Sequence, residues 1–389
     1  ERKAAAVLPK STWDVNDWDV DNDSGGGSGN QYAPAGFDPG YWIGAQAIDT
    51  WTGRENTTSW TTDGNWASGT VPVAGDKVFI HDATNDPDIS TDRSLTNLTV
   101  KTGGVLDIEA SGSLTLSGNF SNSGTVTLNS SSALFSSLIV EGTSTGDVKY
   151  KRYTNTVGAY EWDLIGSPVG GNNYISSFVS ENSGSLATNG SSPTNYAIGY
   201  YTNSNNSWTN YNSSSVTSNS TAFEPGKGYQ MAHASGGTLT FTGTVTTGSV
   251  TESVINNSAS SGTRWNLVAN PYPTYINAND DADNTNNFLT SNVSKIDSNF
   301  LAIYGWDADG SGYTARGHDY NSNSAVYFAP GQAFMIASDD TTGENITFAE
   351  ALQTVSPASA DDFISGDPIE PTEIFLRLYN YDEFIEDAH

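Results

Sequence analysis

Four histidines, 44 carboxylates and no cysteine are the groups with which this chain of 389 residues can do proton or metal chemistry. His81, His233, His318 and His389 stand far apart and never take the HExxH or HxH spacing that brings two imidazoles to one metal. Without a thiol there is no cysteine nucleophile. No Gly-x-Ser-x-Gly elbow sits between a strand and a helix, and no phosphate-cradling loop is present. A carboxylate pair for glycoside hydrolysis can be drawn in any chain this acidic, but nothing marks one pair above the rest. The chemistry expected of these residues is therefore not catalysis.

Calcium is the ligand the carboxylates suit best, because hard oxygens at alternate positions of a glycine-containing loop match its six to eight contacts. The sharpest loop runs from Asp307 to Tyr313. Asp307, Asp309 and Ser311 supply oxygens at positions one, three and five, and Gly310 and Gly312 lie between and after them. The bidentate glutamate that usually closes such a loop is missing, and His318 stands in its place. A second set is Asp19, Asp21 and Asp23, flanked by tryptophans, and a weaker third is Asp280, Asp281 and Asp283. The competing reading of all three is a tight turn held by Asx hydrogen bonds. It gains weight from the first repeat described below, which carries Asn203, Asn205 and Ser207 at the turn corresponding to Asp307–Tyr313.

Loops of this kind need strands to hold them, and the composition supplies strands. Glycine, serine, threonine and asparagine fill the space left by 36% hydrophobic residues, and no run has a helical period of apolar positions. The formal charge of −29 excludes nucleic acid as a partner, since phosphate binding needs a basic face. No apolar run approaches the roughly 20 residues of a membrane helix, so no transmembrane segment is expected. No signal peptide is legible.

Residues 1–48 read as an Asp/Gly/aromatic-rich arm. Residues 49–155 read as a β-solenoid, with same-face pairs Leu98/Val100, Leu106/Ile108, Leu114/Leu116, Val126/Leu128, Leu138/Val140 and Val148/Tyr150. Turns this short and this similar favour a short parallel β-helix over a meandering sandwich. Residues 156–255 and 256–352 are duplicates. Trp162–Pro168 matches Trp265–Pro271, Ala197–Tyr201 matches Ala302–Trp306, Phe223–Tyr229 matches Phe328–Phe334, and Leu239–Phe241 matches Ile346–Phe348. Each copy is expected to be an antiparallel β-sandwich unit, its Pro-Gly pair setting a turn and its aromatic residues filling the core. A minority reading exposes a row of those aromatics to stack on sugar rings. Residues 353–389 read as an acidic linker followed by a strand at Ile374–Leu378. The fold class expected is all-β.

The order of these blocks resembles the surface and secreted proteins that Bacteroidetes export by the type IX system. The residues that carry the resemblance are Trp51-Thr52-Gly53, Trp60, Asn65-Trp66, Val71-Pro72, Gly75-Asp76 and Val78-Phe79-Ile80, then Asn97–Leu128, Trp265–Pro273 with Ile276, and Ile303-Tyr304, Trp306-Asp307 and Phe328–Ile336. The resemblance implies an extracellular or cell-surface location and a scaffold role rather than an activity. The function expected is a non-enzymatic structural or adhesive surface protein that self-associates into a filament or layer by arm or strand exchange. The alternative is a carbohydrate-binding accessory region of a larger secreted hydrolase, with surface glycans as partner.

Overall fold

The computed structural model describes residues 48–154, 162–171, 173–217, 221–307, 312–317 and 325–355, with backbone alone for 306–307 and 312–317. The first unit is a parallel β-solenoid with three faces. One face stacks Ile48–Thr50, Lys77–Ile80, Asn97–Val100, Phe120–Asn122 and Ser144–Thr145. A second stacks Asp88–Ile89, Val105–Ile108, Thr125–Leu128 and Asp147–Thr154, and a third stacks Arg93–Leu95, Ser113–Leu116 and Ser137–Val140. Rungs recur at 20, 22 and 24 residues, as the parallel partners Lys77↔Asn97, Leu98↔Phe120 and Phe120↔Ser144 show. The same-face pairs of the sequence become the interior ladder, and all twelve residues are at most 1% exposed. Alternation does this: on a strand, every second side chain points inward, and only apolar ones are tolerated there.

The N-terminal end of that ladder would expose its apolar rungs, and three indoles cover it. Trp66 meets Trp51 and Trp60 edge-on at 5.1 and 4.6 Å between centroids, and its Nε1–H donates to the Trp60 carbonyl at 2.8 Å. Asn65, fully buried, holds the incoming loop. Its Oδ1 accepts from the Glu55 amide and its Nδ2 donates to Thr57 O and Oγ1. A terminal cap of this sort is what a stack of repeats requires where it has no further neighbour.

At the other end the solenoid hands its sheet to the next unit. Asp147–Thr154 pairs in parallel with Thr125–Leu128 and, over its whole length, antiparallel with Gly237–Thr244. Val250–Val254 likewise pairs with Glu344–Phe348. Each repeat thus opens with a strand that pairs with its own last strand. The strand that carries Val148 and Tyr150 continues the solenoid ladder and also pairs with the last strand of the first repeat, so the two units share it.

The two repeats have one topology. The first orders Asp163–Ile165, Tyr229–Met231, Asn195–Thr202 and Ser207–Asn212 in an antiparallel sheet. The second orders Trp265–Ala269, Ala333–Ala337, Ala302–Asp307 and Gly312–Gly317 in the same way. Phenylalanines fill the space between the sheet and the strand pair. Phe178, Phe223 and Phe241 have centroids 4.6–5.4 Å apart, and Phe288 lies 5.7 and 5.1 Å from Phe328 and Phe348. Two short helices with no legible period in the sequence, Ile175–Glu181 and Phe288–Asn292, deliver Phe178 and Phe288. Each helix ends in a buried asparagine that clamps the last strand. Asn182 exchanges two hydrogen bonds with the backbone of Thr240 at 2.9 and 2.8 Å, and Asn292 does so with Thr347 at 3.0 and 2.8 Å.

The repeats interlock about a pseudo-two-fold axis. The Gly166 amide donates to Gly331 O and the Ala269 amide to Gly226 O, each at 2.7 Å, and the bridges Ile165↔Gln332 and Lys227↔Val268 repeat the exchange. Gly226 and Gly331, the glycines of the two Pro-Gly turns, hold φ of 88° and 70° there, conformations other residues reach only under strain. The second repeat also grips the solenoid. Leu138 N–H donates to Pro273 O at 2.8 Å, Phe135 N–H to the Tyr275 hydroxyl at 3.1 Å, and buried Arg152 donates Nε–H to Pro330 O at 2.7 Å with its guanidinium 4.1 Å above the Phe135 ring.

On the axis, a Cβ on Gly166 would lie 2.3 Å from Ala269 Cβ and 2.7 Å from Lys227 O. Gly166→Ala is expected to destabilise the fold by about 1–3 kcal/mol through overpacking, measured by denaturant unfolding. Adding Ala269→Gly is expected to recover part of that loss, because it removes the nearer of the two clashes.

Candidate functional site

Of the loops proposed for calcium, Asp19, Asp21, Asp23, Asp309 and Ser311 lie outside the described residues. Asp307 ends strand Ala302–Asp307 opposite Gly312, and its side chain is likewise outside them. The third loop is described. Asp283 Oδ1 accepts from the amides of Thr285 and Asn286 at 2.8 and 2.9 Å, which holds its carboxyl below the usual range. Asp280 Oδ1 accepts from Asn287 Nδ2 and Thr290 Oγ1 at 3.0 and 2.7 Å. Those carboxylates shape the turn that starts helix Phe288–Asn292. Among the described residues no group of three or more His, Asp or Glu is placed to hold a metal ion.

Of the histidines, His318 and His389 lie outside the described residues. His81 Nδ1 donates to the Asp82 carbonyl at 2.8 Å. His233 Nδ1 accepts from the Ser235 amide at 3.1 Å, and burial lowers its pKa. Both imidazoles serve their own turns. Stacked carboxylates run down one face of the solenoid, where Asp88 is the direct partner of Asp107. Burial and neighbouring charge raise Asp86 and Glu109 there: Asp82 and Asp107 act on Asp86, and Asp107 and Asp88 act on Glu109.

The feature with the geometry of a binding site lies where the two repeat sheets meet. It is a groove of about 290 Å³ lined by Tyr201, Asn206, Trp208, Trp265, Tyr304 and Met335. Tyr201 and Trp208 form one wall, 5.2 Å apart and tilted by 52°, on the hairpin that joins Asn195–Thr202 to Ser207–Asn212. Trp265 and Tyr304 form the other, 4.7 Å apart and near-perpendicular. Met335, 5% exposed, makes the floor, while Trp208 is 37% exposed and stands open to solvent.

Neighbouring groups fix both walls. Asn203 reaches across from the first repeat and donates Nδ2–H to Thr263 O and Trp265 O at 2.8 and 2.7 Å. The Tyr201 hydroxyl lies 2.9 Å from both Asn206 Oδ1 and Thr263 Oγ1. Behind Trp265, Phe300 stands 5.6 Å away and carries the Arg264 guanidinium on its face at 4.9 Å. Arg264 is paired with Asp297. Burial works to raise the Asp297 carboxyl, but hydrogen bonds from Asn299 and Arg264, with the Arg264 charge, outweigh it and hold that group low. Burial, then the Asp297 charge, raises the Tyr304 hydroxyl, so it stays a donor at neutral pH. The first repeat differs at the corresponding place, since Gly199 stands at the position of Tyr304. There, Asn210 and Gln230 meet at 2.7 Å and leave no room for a Cβ. The sequence marked Trp265, Tyr304 and Tyr201 only as members of the repeat. Trp208 lay outside the matched blocks, and only the strand register sets it opposite Tyr201, as it sets Tyr313 opposite Trp306.

Solenoid, strand handover and paired repeats together define a class, the all-β proteins that join a parallel solenoid to a duplicated antiparallel sandwich. Within it, the chain belongs to the family Domain of unknown function (DUF8693), whose model matches residues 50–368 and so spans all three units. No curated protein and no solved structure matches the chain. No helix among the described residues is long and apolar enough to cross a membrane.

One group outside the groove gives a pH handle on the interlock. Glu252 packs beside Gly226, and burial lifts its pKa to about 7, with Lys227 pulling it down and Glu224 pushing it up. A folded state that holds this proton more tightly than the unfolded chain is favoured at low pH, and that advantage is lost as pH rises from about 4.5 through 7. Glu252→Gln is therefore expected to stabilise the protein at pH 8 by about 1–2 kcal/mol, after allowance for the solvent that reaches the carboxyl. The gain should vanish at pH 4. Denaturant midpoints at the two pH values check the sign.

Proposed function

We propose that this chain is a non-enzymatic structural or adhesive protein of the cell surface. The observation that carries the reading is the continuity of its backbone pairing. One sheet passes from solenoid to first repeat through eight paired residues, and the repeats exchange strands' edges across their axis. Several buried polar side chains are spent on the same task. Arg152, Asn182, Asn270 and Asn292 each bind backbone carbonyls of a distant segment. Such a body suits transmitting or bearing force between what holds one end and what binds the other. The resemblance of Trp51–Ile80 and Trp265–Pro273 to exported surface proteins supports an extracellular location.

Self-association by strand addition belongs to the same reading. Ser207–Asn212 and Gly312–Gly317 each stand at the edge of their sheet and pair on one side only among the described residues, and an open edge accepts a further strand. The donor is the aromatic arm of residues 1–47, which lies outside the described residues. Full-length protein is expected to form concentration-dependent assemblies by sedimentation velocity and negative-stain microscopy, and protein lacking residues 1–47 is expected to remain monomeric. Equal assembly by both proteins would remove the arm from its role. A full chain that stays monomeric at every concentration and adheres to no surface would overturn the reading.

A further inference from the structure

We infer that the groove between the repeats binds a neutral oligosaccharide, its aromatic walls stacking on the apolar faces of pyranose rings. The inference rests on the adhesive half of the function proposed above and is independent of the assembly half. Four observations carry it.

First, the walls are open. Phe178, Phe223 and Phe241 close on one another in the core with at most 5% exposure. Trp208, at 37%, does not. Large aromatics with one face left wet are the usual means of gripping a ligand that is itself half apolar.

Second, the walls are fixed before any ligand arrives. All four wall rings stand on sheet strands. Asn203 ties the hairpin of Tyr201 and Trp208 to Trp265, and the Arg264–Phe300 stack supports Trp265 from behind. A preformed site loses little ordering entropy on binding.

Third, the polar groups at the rim are mixed. The Tyr304 hydroxyl keeps its proton and can donate, whereas the Tyr201 hydroxyl gives its proton to Asn206 Oδ1, takes one from Thr263 Oγ1, and presents oxygen lone pairs as acceptors. Sugar hydroxyls both donate and accept and so match such a rim. A proline-rich peptide, the other ligand that favours aromatic grooves, brings carbonyl acceptors but lacks N–H donors at its prolines.

Fourth, the groove is electrically neutral in a chain of formal charge −29. The ion pair behind its wall, Arg264 with Asp297, is internally compensated. A phosphate, sulfate or uronate would meet repulsion from the whole molecule with no free cation described at the site to offset it. The volume of about 290 Å³ sits at the lower end of ligand pockets, which suits one or two sugar rings of a longer chain.

The test is titration of the full chain with cellohexaose, laminarihexaose, maltohexaose and mannohexaose, followed by tryptophan fluorescence and calorimetry. Oligogalacturonate and decaproline are the comparison probes. At least one neutral hexamer is expected to bind, and Trp208→Ala to weaken it about tenfold, the cost of one lost ring stack. Trp208→Tyr should keep most of the affinity, and Tyr201→Phe, which keeps the ring and drops the hydroxyl, should lose about threefold. Trp208 stands on an edge strand, and circular dichroism establishes that these variants fold. The inference is overturned if no neutral hexamer binds, if Trp208→Ala binds as well as the parent, or if oligogalacturonate or decaproline is the preferred probe. Sedimentation reads assembly separately, so loss of sugar binding with assembly intact would strike this inference and leave the scaffold role standing.

Discussion

An open sheet edge presents a row of N–H and C=O groups, and those groups must be satisfied by water, by another chain or by the rest of the molecule. In this protein much of that row is satisfied internally, and the manner of doing so joins the units. The solenoid's last long rung takes Gly237–Thr244 as its antiparallel neighbour. Its third face is met at Leu138 by the Pro273 carbonyl. The inner edge of each repeat sheet receives the Pro-Gly turn of the other. Every junction is therefore built from backbone, which is less sensitive to side-chain change than a patch of apolar residues would be. The remaining side-chain contacts, such as Arg152 on Pro330 O and Tyr272 on Gly248 O and Phe348 O, reinforce junctions that already exist.

Much of this was legible in the sequence because it rests on short periods. Same-face apolar pairs recurring mostly every 8 to 12 residues, with similar short turns between them, favoured a solenoid over a meandering sandwich, and the structure adds that each face repeats every 20 to 24 residues. The duplication was legible because Trp265–Pro271 and its partner blocks keep both order and spacing. The helices were not. Ile175–Glu181 and Phe288–Asn292 are too short to show a helical period, and tertiary contacts made by Phe178, Phe288 and the two clamping asparagines hold them in place. The sharing of one strand between solenoid and first repeat was hidden for a related reason, since Val148/Tyr150 obeys the solenoid's alternation and the repeat's at once.

The groove lay furthest from what sequence reasoning reaches. Its walls come from four separate segments, and only the pairing of two sheets brings Trp208 opposite Trp265 and Tyr304. Nothing in residue type separates Trp208 from the three buried tryptophans that cap the solenoid. What differs is which ring has a neighbour on each side. Alternating acids are easy to see in a sequence, but what they hold is not: Asp280 and Asp283 each give one carboxylate oxygen to hydrogen bonds that organise a turn.

The contact between Gly166 and Ala269 has a consequence for how molecules recognise themselves. These two residues occupy the same place in successive copies, so two second repeats brought together would press methyl against methyl, and two first repeats would leave a hollow. Only the unlike pair fits. A single carbon atom thus biases the copies to pair as unlike halves and sets a penalty on like-with-like pairing, so a duplicated architecture keeps one arrangement of its two parts.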